Sequence, residues 1–194
     1  MKRTLIAVAL AVGIARPAFA VPVLWDPAVG GNGHYYEVIA TLVDWDDAFA
    51  AAAGSSHLGL SGYLATVTSA EESAFISSLN ASTAWLGGND RDVEGVFTWK
   101  AGPEAGSVFF GPGAPAGAFS FWAFGEPNNC CGGEDDLVIN WAAGQWNDIG
   151  LPAFPNNTYA YVVEYSGAAV PEPASLLLIG AGLIGLGRRL TRRT

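Results

Sequence analysis

Glu126-Pro127-Asn128, then Glu134-Asp135-Asp136, then Trp146-Asn147-Asp148: this stretch of 23 residues decides how the chain is read. Glu126, Glu134 and Asp148 offer three carboxylates, and Asn128 and Asn147 add two carboxamides, with no histidine among them. Oxygen donors of this kind suit a hard divalent cation, and Ca²⁺ takes about six to eight of them. The asparagines would give carbonyl oxygens to the ion and keep their NH₂ groups for another partner. A sugar with two adjacent hydroxyls fits that division. Its oxygens can ligate the ion, its O–H groups can donate to carboxylates, and its lone pairs can accept from the amides.

The flanking sequence extends the pattern. Trp122-Ala123-Phe124-Gly125 leads into Glu126, and Trp85-Leu86-Gly87 reads as a buried strand. Gly62-Tyr63-Leu64-Ala65-Thr66-Val67 precedes Ser69-Ala70-Glu71-Glu72. Together with the loop motifs, and in this order, these segments resemble the C-type lectin domain family over residues 34–165. The resemblance implies an α+β, C-type lectin-like fold: two helices packed on small antiparallel β-sheets, with a long Ca-binding loop. It implies that Glu126, Asn128, Glu134, Asn147 and Asp148 hold the principal Ca²⁺ and also meet the carbohydrate. The Glu126–Pro127 bond would be cis, aiming the Glu126 and Asn128 oxygens at one point. A second ion is implied at Asp90, Glu94 and Asp135, with Asn129 where the family often has Asp; the lost charge should weaken that site. Glu-Pro-Asn in the family goes with mannose-, glucose- or fucose-like hydroxyl pairs, and Gln-Pro-Asp with galactose.

The cysteines depart from the family. Its four half-cystine positions are filled by alanine near Ala51, by Asp136, by Leu151 and by Val163, so both partners of each bridge are absent together. The only two cysteines, Cys130 and Cys131, are adjacent within the ligand loop. They could be free thiols, a vicinal disulfide or links to another chain. Two thiols do not make a structural zinc site.

Both ends read as processing signals. Met1-Lys2-Arg3, an apolar run and Ala18-Phe19-Ala20 form a secretory signal peptide over residues 1–20. Residues 21–166 form the domain. Residues 167–194 carry Pro171-Glu172-Pro173, an apolar segment at 174–187 and an Arg-rich end. That apolar segment is shorter than the ~20 residues of a typical span, which allows transient membrane contact. The layout resembles the PEP-CTERM sorting signal of Gram-negative bacteria, whose partner is an exosortase. A tail of this kind implies export to the cell surface or extracellular matrix, with membrane anchoring before processing.

Removing the ends sharpens the charge. Only Arg91 and Lys100 remain between residues 21 and 170, against 17 acidic residues, a net charge of −15. Such a domain lacks the cations that nucleic-acid phosphates require and attracts divalent cations. Three adjacent acids, Glu134-Asp135-Asp136, repel one another unless something neutralises them. An enzyme reading is weak. Glu126 and Glu134 could be imagined as a glycosidase pair, but they match the ligand pattern too closely. A Cys130 or Cys131 nucleophile has no base near it in sequence, because the only histidines are His34 and His57. The partner that remains is a glycan or exopolysaccharide. The alternative is a surface protein that recognises a protein, or serves the matrix, without sugar.

Periodicity predicts strands at 34–39, 83–87, 97–99, 137–141, 145–148 and 159–165, and a turn at 59–62. It predicts a helix over 44–53 with Asp44 as N-cap and with Trp45, Ala48 and Phe49 on one face. A second helix starts at Ser69 with a capping box, Ser69-x-x-Glu72, and Phe75, Ile76 and Leu79 form its apolar face. Residues 101–125 read as a long irregular loop anchored by Phe109, Phe110, Phe119, Phe121 and Trp122. Trp146 reads as core, although it lies between ligands.

Overall fold

The computed structural model describes residues 21–79, 82–150 and 157–167. The signal peptide, the sorting tail from 168 onward and Leu151 lie outside the described residues. Two helices, α1 (Trp45–Ala53) and α2 (Ala70–Leu79), pack on a sheet. Its strands are β1 (Val23–Leu24), β2 (Tyr35–Val43), β3 (Ser56–His57), β4 (Leu60–Leu64), β5 (Ala84–Asn89), β6 (Phe97–Trp99), β7 (Val108–Phe110), β8 (Asp136–Ala142), β9 (Gln145–Ile149) and β10 (Tyr159–Tyr165). The main path runs β1-β2-β10-β5-β6-β7, with β4 and β3 branching from β10, and β8 and β9 from β5. No helix among the described residues is long and apolar enough to cross a membrane.

Most pairings are antiparallel, as expected, but one is not. β10 lies parallel to β5, with Ala160 opposite Ala84 and Tyr161 opposite Trp85. The expected antiparallel sheets are therefore one mixed sheet. A parallel neighbour needs a long crossover, and the whole ligand loop supplies it here. Three smaller differences have the same origin, tertiary pairing prevailing over local sequence. Residues 60–62 are strand, because β4 pairs with β10 through Gly62 and Tyr165. The irregular stretch contains β7, which pairs with β6. Phe121 is not a core anchor but is 41% exposed.

The sheet is buried on both faces, and strand alternation distributes its side chains. Leu137, Ile139 and Val162 join one cluster with Ile76 of α2. Val138, Tyr161 and Val163 join the other, with Trp45, Ala48 and Ala52 of α1. Helix α1 starts where expected: the Asp44 Oδ1 accepts from the Asp47 N–H at 2.8 Å. At α2 the Ser69 hydroxyl accepts from the Glu72 N–H at 3.1 Å, but Glu72 does not reach back to Ser69. Its Oε2 accepts from Thr68 N–H at 2.6 Å, and its Oε1 accepts from Tyr36 and Asn32.

Glu72 thus belongs to a buried polar knot between β2, α2 and β10. Glu164, 1% exposed, accepts from Thr66 N–H at 3.1 Å and meets His34 Nδ1 at 2.6 Å. The Glu164 hydrogen bond raises the His34 pKa, and burial raises that of Glu72.

The second tie is ionic. Arg91 donates through Nε and Nη2 to both oxygens of buried Asp136, at 2.8 and 2.6 Å, and through Nη1 to Asp46 of α1 at 2.7 Å. Its guanidinium also lies 4.8 Å from the Trp45 ring centroid. The third member of Glu134-Asp135-Asp136 is therefore paired with arginine. The pair binds the sheet, through Asp136 of β8, to Asp46 of α1. Breaking a buried pair from one side costs ~3–5 kcal/mol. Because the guanidinium keeps some solvent, Arg91→Gln is expected to cost about 2–3 kcal/mol in urea unfolding. A loss below about 0.5 kcal/mol, the size of an exposed pair, would contradict this account.

Candidate functional site

The long loop reaches its place by pairing with β9. Trp146 N–H donates to the Phe121 carbonyl at 2.7 Å, and Ala123 N–H donates to the Trp146 carbonyl at 2.8 Å. Beneath them the Trp146 ring is fully buried among Trp99, Phe109, Phe119 and Trp122, meeting each edge-on. Trp146 is core, as its sequence suggested. It sets the height of the loop through its backbone and its ring together. The turn at Gly125 then brings Glu126 over β9, and the Glu126–Pro127 bond is cis.

Asp148 organises the segment beyond the cis turn. It is 1% exposed, and its Oδ1 and Oδ2 accept from the Asn128 and Asn129 N–H groups at 3.2 and 2.9 Å. Asn129 Oδ1 accepts from Glu134 N–H at 2.9 Å, and Glu134 Oε2 accepts from Cys130 N–H at 3.0 Å. The segment 129–134 is thus closed by its own side chains. Cys130 and Cys131 are bonded to each other within it. At its base, Gly150 must lack a side chain: a Cβ there would stand 1.9 Å from the Gly133 carbonyl oxygen.

Of the five residues read as principal ligands, the three carboxylates lie near enough to repel one another. Strand β9 carries Asn147 and Asp148, the cis turn carries Glu126 and Asn128, and the closed segment carries Glu134. The carboxylates feel one another. Burial, Asp148 and then Glu134 push the Glu126 pKa up to about 7. Burial and Asp148 also raise Glu134, against the Cys130 N–H that stabilises its charge. Two buried oxygens here, Glu126 Oε2 and Asn147 Oδ1, have no hydrogen-bond partner. Unpartnered buried acceptors among like charges are costly. A hard cation would relieve both deficits, so the donor set fits Ca²⁺.

The second set is looser. Asp90 is buried; its Oδ2 accepts from Gly95 N–H at 2.8 Å, while its Oδ1 is unpartnered. Burial, Glu94 and Asp135 push its pKa up to about 7, so these three acids do share a region. Asn129 is tied instead to Glu134, in the principal group.

The sequence did not point to a third group. His34, Glu72 and Glu164 place possible ligand atoms within 4.8 Å of one another. Glu72 had the signal of a helix cap, and no motif tied His34 to either acid. Only the fold unites them, and their carboxylate oxygens are already taken up by Tyr36, Asn32, Thr66 and Thr68.

Comparison with known proteins agrees with this fold. The chain matches the family model described as Lectin C-type domain over residues 45–152, and the PEP-CTERM protein-sorting motif over residues 169–193. Halomucin of Haloquadratum walsbyi is 36% identical over 151 residues, a stretch that spans 77% of this chain but 2% of halomucin. A type-2 ice-structuring protein of Hemitripterus americanus is 31% identical over 137 residues, covering 68% of this chain and 69% of that protein. Among solved structures, the C-type lectin CEL-I from Cucumaria echinata matches with a TM-score of 0.53 at 25% identity, covering 69% of this chain and 90% of CEL-I.

The charge shifts set a pH dependence. Glu126, Glu134 and Asp90 have folded pKa values above their ordinary ones, so the folded chain holds extra protons between the two. Stability from Glu126 and Asp90 is present near pH 5 and is lost as pH rises through about 7, and the raised Glu134 acts in the same direction. His34, also raised, acts in the same sense. The metal-free chain should therefore melt at a higher temperature at pH 5 than at pH 8, and Glu126→Gln should shrink the difference by stabilising the pH 8 form. A melting temperature that rises from pH 5 to pH 8 would overturn this.

Proposed function

This chain belongs to the C-type lectin domain family, and on that premise we propose that it is an exported, Ca²⁺-dependent carbohydrate-binding module and not an enzyme. The observation that carries the reading is the mutual repulsion of Glu126, Glu134 and Asp148, together with two unpartnered buried oxygens, Glu126 Oε2 and Asn147 Oδ1. Glu126, Asn128, Glu134, Asn147 and Asp148 would hold the ion, which supplies a Lewis-acidic centre for two sugar hydroxyls. The chain's own part is orientation. Asp148 fixes the Asn128 and Asn129 backbone, and the carboxylates and carboxamides present acceptors and donors to the hydroxyl rim. Asp90, Glu94 and Asp135 would hold a weaker second ion.

Glu126-Pro127-Asn128 supports a mannose-, glucose- or fucose-type ligand. The sorting motif at 169–193 supports handling by an exosortase and display on the surface or in the exopolysaccharide of a Gram-negative bacterium. A single site of this size binds weakly, and repeated display on a surface would raise avidity.

A second reading is a surface protein that serves a protein partner or the matrix without sugar. It draws on the ice-structuring relative, whose name is not that of a lectin. Binding to immobilised mannose, glucose and fucose glycosides separates the two. The sugar reading expects retention in Ca²⁺, release by a chelator, and loss of about tenfold or more in affinity in the Glu126→Gln/Asn128→Asp pair. Retention that survives chelation, or none on any glycoside, favours the second reading.

A further inference from the structure

Beside Glu134 lies a half-open cleft of about 240 Å³, lined by Glu134, Trp141, Ile149, Asn157 and Tyr159. Its chemistry is specific. Ile149, 3% exposed, provides an apolar base. Trp141 is 47% exposed, at the end of β8 where the chain turns into the hairpin to β9. An indole so exposed carries a large apolar surface that no core contact explains. Tyr159 is held by its edge-on contact with Trp85, with ring centroids 5.0 Å apart at 88°. Asn157 is fixed by its own donation to the Gly150 carbonyl at 3.1 Å, which leaves its amide oxygen in a set position.

An indole wall, an apolar base and a few fixed polar groups are the complement of a pyranose ring. Such a ring has an apolar C–H face and a rim of hydroxyls. The cleft is smaller than the ~300–1,000 Å³ of a drug-sized pocket, which suits one ring and not several. Glu134 belongs both to this cleft and to the ion-binding group. A ring lodged here would therefore adjoin a sugar held at the ion, as its covalently linked neighbour. We infer that Trp141, Tyr159 and Asn157 form a second saccharide subsite, so that the ligand is a glycan of two or more linked residues. This rests on the sugar reading above, and names its substrate class.

The test measures affinity for the methyl glycosides of mannose, glucose and fucose beside their α-linked di- and trisaccharides, with the purified chain in Ca²⁺. The expected result is that a di- or trisaccharide binds about tenfold tighter than its monosaccharide. Trp141→Ala should erase that advantage while leaving the monosaccharide within about twofold, and Trp141→Phe should retain most of it. Phe121→Ala, an exposed aromatic in the separate cleft against α2, should change neither. Thermal unfolding verifies that Trp141→Ala is folded. Equal affinity for both lengths in the native chain overturns the subsite and leaves the sugar reading intact. So does a Trp141→Ala that weakens both lengths alike. No binding at either length removes the sugar reading, and the subsite with it.

Discussion

The acceptance of two loop amides by the Asp148 carboxylate is the contact on which the site depends. It fixes the backbone of Asn128 and Asn129 from a buried strand, and Asn129 in turn holds Glu134. Without it the Glu126 arm and the Glu134 arm would have no common reference. The same carboxylate repels Glu126 and Glu134. One group therefore orders the loop and loads it with uncompensated negative charge. A preorganised arrangement of this kind lowers the ordering cost that a cation must meet on binding. Local destabilisation at a binding site, supported by a rigid frame, is the expected pattern.

That frame holds together with no disulfide beyond the Cys130–Cys131 bond. Ala52 and Val163 share a core cluster and simply pack. Asp136 is held by Arg91, which also reaches α1. On the opposite side, Glu72 and Glu164 tie α2 to β2 and β10 through Tyr36, His34 and Thr66. A covalent cross-link acts chiefly on the unfolded chain, whereas these ties act in the folded state and depend on pH. With only Arg91 and Lys100 available as lysine or arginine cations between residues 21 and 170, the chain places one of them on buried Asp136. The other acids there remain without a positive partner.

Much of this was legible in the sequence. The loop motifs singled out Glu126, Glu134 and Asp148, whose carboxylates the fold brings near enough to repel one another. The helices followed from the Asp44 cap and the apolar positions. What local sequence could not show depends on long-range pairing. The parallel contact of β10 with β5 joins residues on either side of the loop, and β7 forms only because β6 lies ready to receive it. The Arg91–Asp136 pair spans 45 residues, and the Glu72–Tyr36–Glu164 knot draws on three distant segments. Glu72 is instructive: its capping signal was real at the backbone, but its carboxylate serves the core. Phe121 shows the reverse case, since its backbone pairs with Trp146 while its ring stays outside.

The central claim is that this loop holds a divalent cation through Glu126, Glu134 and Asp148. Calorimetric titration of Ca²⁺ into the chelator-stripped chain tests it most directly, with the Glu126→Gln/Asn128→Asp pair measured in parallel. The account predicts saturable binding of about one or two ions per chain, with the tighter one lost in the double variant. An absence of binding by the native chain, or equal binding by both proteins, would contradict it.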